Sequence, residues 1–153
     1  MTTSIQWAEL ARAAKAASEQ AYAPYSKFPV GVAVQAKSGK IYSGCNVENA
    51  SYGGTICAER NAIAAAVVAG ERQFVGLMVY TPQEQLTPPC GICRQVIAEF
   101  FTPDSPVRSC NHLEQQQEWT LEQLLPSAFT PLFLANSKNS ESGVHDVITS
   151  GNY

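Results

Sequence analysis

The chain has 153 residues, 45% hydrophobic and 15% charged, with a formal net charge of −3. That length fits one domain with its own core, and the acidic balance argues against a polynucleotide surface, which needs a basic patch. The longest apolar run, Ala62 to Ala69, is too short to span a bilayer. No secretory leader is legible at the start, where Glu9, Arg12 and Lys15 interrupt an amphipathic pattern.

Trp7, Leu10, Ala11, Ala14, Ala17 and Ala21 recur at helical spacing and predict a first helix over about residues 4–21. Pro24 and Pro29 then break the chain. Val30 to Ala36 and Lys40 to Val47 are strand-like on either side of a KSGK turn, so they predict a hairpin. Thr55 is the expected N-cap of a second helix that buries Ala62, Ile63, Ala66 and Val67 and stops at Gly70. Phe74 to Tyr80 is a continuous apolar run, as for a strand covered on both faces. After a PQEQLTPP loop, Cys90 opens a helix with Val96, Ile97, Phe100 and Phe101 on its apolar face. Short strands are expected at Val107 to Cys110 and near Glu118 and Trp119. Thr120 with Gln123 matches a capping box before a Leu121/Leu124/Leu125 helix. The chain turns polar after Phe129, and 137–153 reads as a mobile polar tail beyond a single 1–136 domain. This order predicts an α/β fold with helices on both faces of a sheet.

The five cysteines are Cys45, Cys57, Cys90, Cys93 and Cys110. An odd count without a leader does not suggest a disulfide framework. Cys110, and less clearly Cys45, read as small buried hydrophobes. Cys90 and Cys93 have C-x-x-C spacing, and with Cys57 they offer three thiolates at predicted helix N-termini, where partial positive charge favours ionised sulfur. A closed structural zinc site needs a fourth ligand, with Cys45, Cys110, His112 and His145 as candidates; a catalytic zinc needs three ligands and an open position. Glu59, two residues after Cys57, favours the catalytic site, because its carboxylate can reach a metal-activated water without being a ligand. Three thiolates on Zn²⁺ leave a net negative charge, which the Arg60 guanidinium can offset. C-x-E at Cys57 to Glu59 followed by P-C-x-x-C at Pro89 to Cys93 is the zinc-deaminase signature in its all-cysteine form.

With AYAPYSKFPVG, GCNVENASYGGTICAER, PCGICRQVIAEF and LEQLLPSAF, the chain resembles the cytidine deaminases of the small, homotetrameric class from its first helix to about Phe129. The resemblance implies a three-layer α/β/α sandwich around a mixed sheet of about five strands. It implies one zinc per chain on Cys57, Cys90 and Cys93, with Glu59 as proton shuttle and Arg60 neutralising the thiolates. Asn46 and Glu48 would hold the ribose 3′-hydroxyl, Phe28 would pack against the pyrimidine and Ala58 would border the base. Tyr52 and Phe129 would reach a neighbouring subunit's site in a homotetramer. The implied reaction is hydrolytic deamination of free cytidine and 2′-deoxycytidine in pyrimidine salvage, in the cytoplasm, with no nucleic acid or membrane partner.

Three other readings compete. A deaminase of another cytosine nucleoside, such as blasticidin S, shares the zinc motif, but Glu48 suits a ribose hydroxyl. A non-catalytic zinc-stapled binding module leaves Glu59 without a purpose. A polynucleotide-editing deaminase conflicts with the charge and with Glu48.

Overall fold

A computed structural model describes residues 3–135. Its elements are α1 (Trp7–Ser18), β1 (Gly31–Ala36), β2 (Ile41–Cys45), a 3₁₀ turn at Tyr52–Gly54, α2 (Ala58–Val68), β3 (Phe74–Thr81), α3 (Gly91–Phe100), β4 (Pro106–Asn111), β5 (Gln116–Thr120), α4 (Leu121–Leu124) and α5 (Pro131–Ala135). The sheet order is β2-β1-β3-β4-β5. β3 and β4 run parallel and the other neighbours antiparallel, so the sheet is mixed.

Side-chain alternation divides the strands between two helix layers. Ala33, Met78, Tyr80 and Cys110 face Leu10 and Ala14 of α1. Val32, Val34, Leu77, Val79 and Val107 face the other way, onto Ala62, Ile63 and Ala66 of α2, Ile97 of α3, and Leu121 and Leu124. Burying each large aliphatic side chain here contributes about 1.5–3 kcal/mol. β3 sits in the middle and is buried on both faces, as its continuous apolar run predicted.

The first helix is shorter than its periodicity predicts. Gln35, fully buried in β1, accepts a hydrogen bond from the Gln6 amide at 2.8 Å and donates to the Ser4 carbonyl at 3.0 Å, which holds the preceding segment out of the helix. At the other end Tyr22 pairs in parallel with Val47, so the chain must leave the helix before it. The second helix begins later than expected, with Cys57 rather than Thr55 at the N-cap. Ile56 pairs antiparallel with Val47, which keeps the chain extended as far as Cys57. That helix ends as the sequence predicts: Gly70 has φ +96°, the Gly70 amide donates to the Val67 carbonyl, and the Glu71 amide donates to the Ala66 carbonyl. The Thr120/Gln123 capping box is present in full. α5 was not anticipated, and the expected tail at 137–153 lies outside the described residues.

Two glycines set the distance between layers. A Cβ on Gly31 would lie 1.8 Å from the Ala14 carbonyl oxygen of α1. A Cβ on Gly44 would lie 2.4 Å from the Ala62 nitrogen and 2.8 Å from the Ala58 oxygen of α2. Both obstacles are helix backbone, which no rotamer change relieves. Gly44→Ala should therefore push α2 off the sheet and lower Tm by roughly 5–10 °C, the effect of about 1–3 kcal/mol of overpacking in a domain of this size. Gly53→Ala, whose Cβ meets nothing within 4 Å, should leave Tm within about 2 °C. Paired thermal melts check this.

Candidate active site

Two helix N-termini converge at the site. Cys57 is the N-cap of α2, with φ −69° and ψ 156°, and Cys90 is the N-cap of α3, with φ −68° and ψ 166°. Neither side chain makes a capping hydrogen bond, so both sulfurs are available to something else. Cys93 lies in the first turn of α3 and is buried. The three Sγ atoms lie within 4.8 Å of one another, with Cys57 and Cys90 sulfurs 3.9 Å apart. A disulfide would need about 2.05 Å. Sulfurs about 2.3 Å from a tetrahedral zinc are about 3.8 Å apart, so this donor set suits Zn²⁺. Among the described residues no fourth Cys, His, Asp or Glu joins the group. Cys110 packs in the α1 layer, where burial raises its thiol to about 11, as expected of an inert hydrophobe. His145 lies outside the described residues.

The surrounding backbone is held by named side chains. Val47 pairs with Tyr22 on one side and Ile56 on the other. This short ladder ties Asn46 and Glu48, which flank Val47, to Ile56, the residue before Cys57. The loop before α3 is tied to the sheet ends: the Ser109 hydroxyl accepts from the Thr87 amide at 3.1 Å, and the Asn111 amide group donates to the Glu84 carbonyl at 2.7 Å. Arg94 donates from Nε to the Pro89 carbonyl at 2.7 Å and from Nη1 to the Leu124 carbonyl at 2.8 Å. It thereby clamps the turn that carries Cys90 to the end of α4.

The guanidinium of Arg60 lies against the sulfur cluster. Arg60 donates from Nη2 to the Cys57 sulfur at 3.7 Å and to the Thr55 carbonyl at 3.3 Å. A hydrogen bond from Cys93, and then the Arg60 guanidinium, hold the Cys57 thiol down to about 5. Cys93 moves the opposite way, its thiol pushed up by its hydrogen bond to Cys57 and by burial. Glu59 is 5% exposed, and burial, with the charge on Cys57, pushes its carboxyl up. A carboxyl raised this way can hold a proton and hand it on.

A cavity of about 610 Å³ opens over this chemistry. Cys57, Ala58, Glu59 and Cys90 line it together with Phe28, Asn46, Glu48 and Tyr52. The Asn46 side-chain Oδ1 accepts from the Val30 amide and its Nδ2 donates to the Phe28 carbonyl, both at 2.8 Å, which leaves one Nδ2 hydrogen uncommitted among the described residues. Glu48 is 8% exposed, and a hydrogen bond from Ser26 holds its carboxyl below the usual range. Tyr52 stands on the rim, its ring edge-on to Tyr25 at 5.8 Å. Phe129 does not line the cavity; it is exposed and stacks on Phe133, with its carbonyl accepting from Gln95 at 2.8 Å. A second cleft of about 770 Å³ beyond Phe28, Thr87 and Pro88 contains none of the sulfurs.

Tyr25, Ser26, Thr87 and Pro88 also line the cavity and were not singled out from the sequence. Their signal was weak: a proline-bracketed aromatic and hydroxyl segment at 24–29, and a loop of ordinary composition.

The layered α/β architecture and the three-cysteine centre beside a buried carboxyl fit a zinc-dependent hydrolase that activates water. A family model for the cytidine and deoxycytidylate deaminase zinc-binding region matches residues 5–107. A cytidine deaminase of Sporosarcina psychrophila is 52% identical over 116 residues, covering 76% of this chain and 85% of the relative. One from Halalkalibacterium halodurans is 47% identical, covering 74% and 86%. The crystal structure of cytidine deaminase from Burkholderia pseudomallei superimposes with a TM-score of 0.78 at 44% identity, covering 82% of this chain and all of that one. The chain belongs to the cytidine deaminase family.

The sulfur geometry predicts one tightly bound zinc per chain with three sulfur ligands. X-ray absorption should count three sulfurs, and four would exclude the open site. Cys57→Ala should lose the metal, whereas Cys110→Ala should keep it.

Proposed function

We propose that this protein hydrolytically deaminates free cytidine and 2′-deoxycytidine to the corresponding uridines and ammonia, serving pyrimidine salvage. The observation that carries the reading is the buried Glu59 carboxyl beside three clustered sulfurs, in a cavity that also holds Asn46 and Glu48. A zinc held by Cys57, Cys90 and Cys93 supplies Lewis-acid chemistry that makes water a nucleophile near neutral pH.

The chain's own residues do the rest. Phe28 packs against the pyrimidine, and Ala58 borders its edge. Asn46 donates to the ribose 3′-oxygen while the ionised Glu48 accepts from the same hydroxyl. A phosphate at that oxygen would meet a like charge, which favours nucleosides over 3′-nucleotides and nucleic acid. Glu59 takes a proton from the attacking water as the new C4–O bond forms and delivers it to N3. It then moves a second proton to the amine as the C4–N bond breaks and ammonia leaves. Arg60 withdraws charge from the sulfurs throughout. A reduced thiol cluster suits a reducing compartment, and we place the enzyme in the cytoplasm. Among the described residues no helix is long and apolar enough to cross a membrane.

Glu59→Gln keeps the shape and removes the base. Zinc content and Tm should hold while turnover falls roughly 10³-fold. Loss of cytidine absorbance measures it, with deoxycytidine, blasticidin S and a cytosine oligonucleotide in parallel. Near-normal turnover by the variant would eliminate the shuttle role, and preferential turnover of blasticidin S or the oligonucleotide would replace the substrate reading.

We further propose that the enzyme is a homotetramer whose sites are completed across interfaces, with 1–136 as the deaminase domain. Exposed Phe129, Leu132, Phe133 and Leu134 form an apolar surface, and Phe129 lies outside the cavity of its own chain. Exposed Tyr52 on the cavity rim is the second residue assigned to this contact. Glu59→Ala and Phe129→Ala chains should each be impaired alone. Co-expressed, they should regain activity, because about a quarter of sites then combine an intact Glu59 with a neighbour's Phe129. No gain, with mixed tetramers verified by native mass spectrometry and Phe129→Ala impaired alone, would refute this arrangement.

A further inference from the structure

We propose that Ser26 is a positioning residue for sugar recognition, its single hydroxyl joining the Glu48 carboxylate to the backbone of Phe28. This rests on the reading of Glu48 as the ribose contact.

The hydrogen bonds make a closed circuit. Glu48 Oε2 accepts from the Tyr25 amide at 3.1 Å and from the Ser26 amide at 3.1 Å. Glu48 Oε1 accepts from the Ser26 amide at 3.3 Å and also from the Ser26 hydroxyl. The same hydroxyl accepts from the Phe28 amide at 3.1 Å. Phe28 returns its carbonyl to Asn46, two residues before Glu48. The Ser26 side chain thus links Glu48 to the backbone of Phe28, which Asn46 reaches directly.

The division of donors explains why the hydroxyl matters. Backbone amides reach both carboxylate oxygens, and their Oε2 contacts are the shorter. Oε1 depends on the side chain for its close contact. A glutamate has three side-chain torsions, and with the hydroxyl removed Oε1 would keep the longer 3.3 Å contact from the Ser26 amide, a weaker hold on the tilt about Oε2. The hydroxyl fixes that tilt and therefore the direction of the lone pairs left for a ligand. It also supports the turn beneath. Lys27, between Ser26 and Phe28, has φ 55°, a left-handed conformation unfavourable for a side chain with a Cβ. The Ser26-to-Phe28 hydrogen bond spans that residue. A hydroxyl that only supported the turn would affect every substrate alike. One that aims Glu48 affects substrates according to whether they carry the hydroxyl that Glu48 receives.

The test compares kcat/KM for cytidine and 3′-deoxycytidine. The wild type should prefer cytidine. Ser26→Ala should lower kcat/KM for cytidine about 10- to 30-fold, in the range for a hydrogen bond to a charged group, and for 3′-deoxycytidine less than about threefold. The preference should therefore shrink, and Ser26→Thr, which keeps the hydroxyl, should restore it. Equal losses on both substrates, or an unchanged preference, would overturn the inference. If Ser26→Ala does not fold, Ser26→Cys preserves volume with a weak donor and is read the same way. A wild type that deaminates cytidine without preferring it to 3′-deoxycytidine overturns the inference and leaves the deaminase reading standing. A wild type inactive on cytidine defeats that reading itself.

Discussion

Holding three cysteine sulfurs within 4.8 Å of each other is the constraint around which this molecule is arranged. Thiolates so close repel one another, and the fold offsets this with fixed positive potential. Two helices begin at the cluster, with Cys57 and Cys90 in the cap positions. A hydroxyl or carboxyl there would consume the helix N–H groups. A sulfur leaves them directed at the metal site. Arg60, one turn into α2, adds a full charge. The same helix start buries Glu59, so one turn brings together a clustered sulfur, a buried carboxyl and a guanidinium that donates to that sulfur.

Most of this was legible in the sequence, for local reasons. The Gly70 stop and the Thr120 capping box rest on interactions within a few residues, the hairpin on a single turn, and the central strand is marked by its own continuous apolar run. The centre was legible because C-x-E and P-C-x-x-C encode helix-start geometry. The failures were non-local. Nothing near Thr55 reveals that Ile56 pairs with Val47, so the helix start was placed too early. Nothing near Ser4 reveals that Gln35 claims its carbonyl. Ser26 escaped because its partners lie at position 48, and a serine after a proline-tyrosine pair looks like any turn residue.

The cavity walls differ in origin. One wall comes from the Asn46–Glu48 segment, paired on both sides through Val47 and braced from 25–30. Another wall, at Thr87 and Pro88, is loop tied to the sheet through side chains of β3 and β4. The first wall is fixed by backbone pairing and the second by side-chain tethers, so the two walls differ in how easily they move.

Gly31 and Gly44 acquire a different meaning in this light. Gly31 pairs with Cys45, and Val32 pairs with Gly44, so the two glycines occupy adjacent rungs of one hairpin. One admits α1 from one face and the other admits α2 from the opposite face. The hairpin is pinched between helix backbones just where it delivers Asn46. A lineage exploring new substrates has no small steps available at that pinch, since any added carbon displaces a whole helix. Change can accumulate gradually on the loop wall. Substitutions on the Asn46 side of the cavity should therefore be harder to accommodate than substitutions around Thr87 and Pro88.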